Sequence, residues 1–393
     1  MQTSQPATMT ASEKEPGLRY YLKREPLILA LLSAMAVLSF LAVSGLSRIY
    51  RAQQQSLGNR WFTLGVQDLK QRRFDRAVNE FRTALLYSRD NYDYQLDLAE
   101  ALIGLKRTDE AYAYLINLWE REPENGLVNL ELARIAAQKG DPEHALRYYH
   151  DAIYAIWPSG QEVRRRDARL ELIDYLLSIN AKTQAQSELI ALAASLDEDP
   201  SLHAHVGDLF LQAQDYEHAL VEYRSALKLD HHNAAALAGA GEAAFELGRY
   251  DMAERYLQAA VAANPSDGKS AERLKTTALI LSMDPFRRRI SVDQRNRIVI
   301  QAFAAAGERL KSCPAAGSVR EPVPSSTSQE SLADSWAKMK PQITEQGVRR
   351  NPDLVEAAMN LVFEIERRAN VACGSPTGID MALLLISRLH EGN

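Results

Sequence analysis

GNRWFTLGVQDLKQRRFDRAVNEFRTALLYSRDN, residues 58–91, places Trp61, Leu64 and Gly65 on a first helix and Ala77, Phe81 and Ala84 on a second. Segments beginning at 92, 126, 200 and 234 align with it at a 34-residue period. The small-large-small triplet of the second helix recurs as Ala111, Leu115, Leu118, then Ala145, Tyr149, Ala152, then Ala219, Tyr223, Ala226, and Ala253, Leu257, Ala260. Gly207 and Gly241 repeat the place of Gly65, and Pro123 and Pro265 close their units. A weaker unit with Ala185, Leu189 and Leu192 occupies 166–199, after a six-residue insertion from Gly160 to Arg165.

This pattern resembles the tetratricopeptide repeat, which has a large residue at position 4, small ones at 8, 20 and 27, a large one at 24 and proline at 32. Small residues let two antiparallel helices approach, the large one fills the gap, and proline stops the second helix. The expected fold is all-α: an N-terminal membrane helix, a helical solenoid of six repeats over 58–267, a capping helix over 268–284 and a small helical domain over 285–393. Position 4 departs from the pattern as Gln95, Asn129, His203 and Leu237, and position 11 of the first unit is Asp68, so looser pair packing is expected there.

Before the repeats, residues 27–46 read LILALLSAMAVLSFLAVSGL, without a charge and flanked by Lys23, Arg24, Arg48 and Arg51. As a helix this run reaches about 30 Å, the thickness of a hydrocarbon core, and being apolar all round it has no face for water. Ala42 and Ser44 have the spacing of a signal-peptidase site before Gly45, but the run exceeds a signal h-region, which favours an uncleaved anchor. Lys14, Arg19, Lys23 and Arg24 precede it, against Arg48, Arg51 and Arg60 after it. That excess makes residues 1–26 a cytoplasmic tail and puts the rest outside, as a single-pass protein of the cell inner membrane with a periplasmic bulk.

The C-terminal quarter reads as helices at Lys269–Met283, Val292–Leu310, Asn351 to about Gly374, and Asp380–His390. A Pro/Ser-rich linker fills 321–329, with Thr327 and Glu330 spaced as a capping box. Cys313 and Cys373 both end helices; in an exported chain they are expected to form a disulfide, the alternatives being buried thiols or a reactive or metal-binding pair.

Among 393 residues with net charge -5, nothing attracts nucleic acid in general. No phosphate loop, dinucleotide fingerprint, nucleophile elbow or zinc-protease helix occurs, so no catalytic residue, metal, cofactor or small-molecule substrate is assigned. An enzyme site would have to lie in 285–393. His231 and His232 and the run Asp197–Asp199 read as loop residues. Arg287, Arg288, Arg289, Arg295, Arg297, Arg309 and Lys311 form a basic stretch, a solvated face or a contact for anionic groups, as do Arg164–Arg166.

The resemblance implies a scaffold or adaptor that holds proteins or peptides on the concave face of its first helices. Narrower forms are a periplasmic chaperone or a biogenesis subunit of secretion, polysaccharide-export or cytochrome-maturation machinery. In that family positions 2, 5, 9, 12 and 13 line the face, with position 6 close by. Position 5 is Phe62, Leu96, Leu130, Leu170, Ala204 and Ala238; position 9 is Val66, Glu100, Arg134, Asp174, Asp208 and Glu242. Asp97, Glu131 and Glu171 stand at position 6. Only Asn59 and Arg134 could serve a carboxylate clamp, so the stripe is expected to take basic or amphipathic segments instead.

Overall fold

The computed structural model describes residues 18–155, 157, 162–317 and 331–390. Most of the N-terminal tail, part of the 160–165 insertion, and the 321–329 linker with Thr327 and Glu330 lie outside them. The chain divides into two compact units, Met1–Ala168 and Arg169–Asn393. Among the described residues, the regular structure is helical throughout.

The first unit begins with α1, Leu18–Lys70, which carries the apolar run and the first helix of the first repeat without a break. Its segment Ile28–Lys70 is long and apolar enough to cross a membrane, with a mean hydropathy of 2.3 in its most apolar window and none of that window buried. Helix α2, Phe74–Tyr87, completes the first pair; α3, Tyr92–Gly104, with α4, Thr108–Arg121, and α5, Gly126–Gln138, with α6, Pro142–Tyr154, form the next two. Helix α7, Glu162–Ser178, contains the boundary between the units.

In the second unit α7 is followed by α8, Lys182–Ala193. Two further pairs are α9, Pro200–Gln212, with α10, Tyr216–Leu229, and α11, Ala234–Glu246, with α12, Tyr250–Ala263. Then come α13, Gly268–Met283; α14, Val292–Ser312; the single turn α15, Pro314–Gly317; α16, Leu332–Met339; α17, Glu345–Arg350; α18, Asp353–Cys373; and α19, Gly378–Leu389. Helix α16 takes its cap from Ser331, whose side chain accepts the Asp334 N–H. The sequence reading did not foresee α17, which at six residues is too short to show a helical period.

Backbone geometry fixes the repeat phase. The fifteenth residue of each of the six units, Arg72, Lys106, Gly140, Asn180, Gln214 and Gly248, has a positive φ between 57° and 70°. Each sits in the turn between the two helices of its pair, and the weak fourth unit shows the same turn as the rest. Only glycine adopts this conformation without steric cost, so four of the six turns hold a side chain against its preference.

Packing explains the small residues. A Cβ on Gly65 would come within 2.5 Å of the Phe81 ring, and one on Gly207 within 2.8 Å of Tyr223. Phe81 and Tyr223 are fully buried, as are Ala77, Ala84, Ala219 and Ala226 around them. The departures at position 4 are not loose. Gln95 donates to the Arg89 carbonyl at 2.9 Å, Asn129 to that of Pro123 at 2.7 Å, and His203 meets Glu222 at 2.7 Å. The first two replace a ring with an amide that ties the preceding inter-repeat loop to its own helix. Asp68, buried at position 11, accepts from Arg73 in the following turn.

The last repeat shares one core with the C-terminal helices: Phe245, Tyr250 and Leu257 pack in the same cluster as Ile280, Phe303, Val362, Phe363 and Ile386. The Trp336 ring stacks on Phe303 at 5.5 Å and its indole N–H donates to the Phe303 carbonyl at 3.0 Å. Cys313 and Cys373, 60 residues apart, are bonded with their Cα atoms 6.1 Å apart, beside Ala316 and Ala369.

Glu366 on α18 is fully buried, and among the described residues neither carboxyl oxygen has a hydrogen-bond partner. Arg309 Nε stands 3.9 Å away. Burial first, and then the like charge of Asp380, push the carboxyl up to about 8 from its ordinary 4.5. Across that window the unfolded chain releases a proton that the folded one keeps. Stability therefore falls as pH rises, by up to about 1.4 kcal/mol per pH unit, and levels off above the folded value. Thermal melting should show this decline in the native protein and a flatter profile for Glu366→Gln; equal slopes for the two would show that this carboxyl does not titrate within the fold.

Candidate protein-binding groove

The residues of the expected stripe fall in both units. In the first, Phe62 is half-buried and stacks on Tyr94 with ring centroids 4.8 Å apart, so much of its surface serves inter-repeat packing. Leu96 and Asp97 are half-buried and Glu100 is exposed. Burial, followed by the charges of Glu100 and Asp93, pushes the Asp97 carboxyl up to about 6. Leu130 and Glu131 are only 4% and 5% exposed, and Glu131 holds Arg134 at 2.5 Å. The third repeat thus presents a neutralised pair where the first helix of the second presents the exposed Glu100 beside the half-buried Asp97.

In the second unit Leu170 is half-buried and Asp174 exposed. Partial burial raises the Asp174 carboxyl, opposed by His205 and helped by Glu171. Asp208 accepts a hydrogen bond of 2.5 Å from the Tyr223 hydroxyl, which holds that phenol well above its ordinary range after burial has already raised it. Glu242 takes a two-pronged contact from Arg273 on α13, at 2.6 and 2.8 Å. Asp208, Ala238 and Glu242 converge on a hollow of about 230 Å³ whose floor includes Ala235 and Gly239, with Lys269 at its edge. Asp208 keeps an exposed carboxylate beside these small residues, while Glu242 is already held by Arg273.

Sequence reasoning missed Arg273 and Tyr223 as partners of these acids. Arg273 lies 31 residues beyond Glu242, in a helix read only as a cap. Tyr223 was read only as the large residue that fills its helix pair, and its hydroxyl carried no signal of its own. Among the other candidates, Asp199 caps α9 by accepting the Ser201 N–H at 2.8 Å, and His231 and His232 are exposed in a turn. The described residues contain no group of three His, Cys, Asp or Glu able to hold a metal ion.

A profile of the tetratricopeptide-repeat family matches residues 68–118 and 210–277, each spanning parts of successive helix pairs in the observed phase. These residues are tetratricopeptide (TPR) repeats. Several solved TPR structures are similar to the chain. The TPR protein YrrB, described as having an unusual peptide-binding site, is 15% identical over 50% of this chain and 97% of its own, with a TM-score of 0.41. PilF of Pseudomonas aeruginosa is 17% identical over 56% and 97%, at 0.41. The C-terminal part of a TPR repeat-containing protein from Cytophaga hutchinsonii is 13% identical over 65% and 92%, at 0.45. A search of curated protein sequences found no match. The TPR fold is typically a protein-interaction scaffold.

Within the TPR array, Asp208 is exposed at the hollow and satisfies the hydroxyl of the buried Tyr223. Asp208→Ala should therefore cost about 1–3 kcal/mol of stability, the penalty of an orphaned buried hydroxyl, whereas Asp174→Ala should cost almost nothing. Chemical unfolding of the two variants side by side checks this: equal midpoints would show that the Tyr223 contact contributes nothing.

Proposed function

We propose that this TPR protein is an envelope scaffold. The run 27–46 anchors it in the inner membrane, the repeats over 58–267 and the cap over 268–284 face the extracytoplasmic side, and the helical region 285–393 completes the array. The groove takes a basic or amphipathic segment of a partner protein. The observation that carries this reading is the pair of exposed carboxylates Asp174 and Asp208 on successive first helices of the second unit, the latter beside a hollow lined by Ala235, Ala238 and Gly239. An amphipathic segment gains affinity from its apolar side chains and is steered by the exposed Asp174 and Asp208 of the second unit. Location outside the cytoplasm agrees with the Cys313–Cys373 bond, since disulfides persist in oxidising compartments.

Two measurements test the parts separately. A reporter active only outside the cytoplasm, fused after Asn393, should be active, and alkylation of the unreduced protein should find no free thiol. A silent reporter, or two reactive thiols, would place the array in the cytoplasm. For the groove, Asp174→Lys should weaken binding of a short lysine- and leucine-rich amphipathic peptide at least about threefold, which is about 0.65 kcal/mol, with an unchanged melting temperature. Asp208 is left intact in this variant because it supports Tyr223. Undiminished binding would move the site to another surface.

A further inference from the structure

We infer that the first unit carries a docking site of its own: a crevice between α2 and α4 that takes a short, extended, apolar segment of a partner protein, whose backbone N–H donates to Gln95. It does not rest on the reading of the acidic stripe. The crevice has a volume of about 1070 Å³, at the upper end of the range of ligand sites. One turn of α2, with Leu85 and Leu86, and one turn of α4, with Ala113 and Tyr114, form its walls, and Gln95 of α3 lies between them. A helical turn is about 5.4 Å long, so the site reads about two extended residues at ~3.3 Å each.

Gln95 supplies the polar anchor. It is only 9% exposed; its Nε2 donates to the Arg89 carbonyl at 2.9 Å, and its Oε1 has no hydrogen-bond partner among the described residues. A buried acceptor left open is costly, and an N–H brought by a ligand removes that cost. A helix spends its N–H groups within itself, so an extended backbone is the form of chain that can supply one. Around this anchor the surface is apolar: Leu86 is 84% exposed, and Leu85 and Tyr114 are half-buried. The charged lining residues carry both signs, Arg82 being held by Glu110 at 2.9 Å and Arg89 and Asp90 being exposed neighbours. An apolar, uncharged segment therefore fits better than a charged one.

The next repeat shows why the crevice is open here. Thirty-four residues on, Arg147 stands in the place of Ala113 and lays its guanidinium over the Trp119 and Tyr148 rings, at 5.9 and 4.7 Å. The equivalent hollow, lined by Trp119 and Asp151, is reduced to about 410 Å³. Asn129, in the place of Gln95, keeps the bond to the loop behind it but is fully buried and does not line that hollow. The site thus needs both the small residue at 113 and the longer amide at 95.

The test probes the full-length protein, in detergent micelles, with an array of capped hexapeptides whose central residues are apolar, acidic or basic. Peptides with apolar centres should bind, and methylating the amide nitrogen of one central residue should abolish that binding. Gln95→Asn, which copies Asn129, should weaken it at least about tenfold, and Ala113→Arg, which copies Arg147, should remove it, both at an unchanged melting temperature. Basic peptides held by the second unit should respond to neither variant. Should Gln95→Asn fail to fold, the N-methylated series reads the same contact on the native chain. Binding of apolar peptides that Ala113→Arg leaves unchanged, or no such binding at all, overturns the site. Loss in Ala113→Arg alone, with every N-methylated peptide still bound, overturns the backbone contact to Gln95. A concentration-dependent dimer that Ala113→Arg dissolves, without peptide binding, makes a second copy the occupant and overturns the partner segment.

Discussion

The close approach of two helices over a residue without a side chain underlies the architecture. Where Gly65 meets Phe81, and where Gly207 and Gly239 both meet Tyr223, the ring lies against backbone. An added Cβ would have to displace a fully buried aromatic, and close-packed interiors transmit such a displacement to their neighbours. Tyr223 shows how far this reaches. One ring fixes the spacing of α9 to α10 through Gly207, the approach of α11 through Gly239, and, through its hydroxyl, the orientation of Asp208 on the groove. Packing within the repeat and the chemistry of the hollow at Asp208 are thus joined in a single side chain.

The turns and loops then keep the period. Six left-handed residues at the same position, four of them not glycine, mean that the antiparallel pair imposes the turn on the local sequence. Asparagine and aspartate caps at Asn91, Asn125, Asp141, Asp199, Asp215 and Asn233 start helices by accepting the free amide hydrogens of the first turn. Gln95 and Asn129 add a bond to the loop behind them. These polar contacts give each repeat its register at little cost, because they satisfy backbone groups that helix ends leave open.

For function, what matters is which charges remain free. An acidic stripe read from sequence counts Glu131, Asp208 and Glu242 alike, yet Glu131 is spent on Arg134, Glu242 on Arg273, and Asp208 partly on Tyr223. Glu100 and Asp174 are exposed. Acids held in internal pairs shape the groove wall more than they attract a partner, since a neutralised pair projects little charge beyond a Debye length.

The period, the small and large positions, the apolar run and even the cap after the last repeat were legible in the sequence, because each is a local pattern that one helix or one helix pair must satisfy. Gly65, Ala77 and Phe81 could have no other use at that spacing. The sequence did not show the unbroken α1, because nothing between Leu46 and Gly58 marks either a helix end or its absence. Nor did it show the partners of the groove acids, or that Phe245 and Tyr250 share a core with Phe363 and Ile386. Those are contacts between residues far apart in the chain and outside the repeating offset. Only the folding of α13, α18 and α19 against the last repeat brings them within reach, and no periodicity records which faces meet.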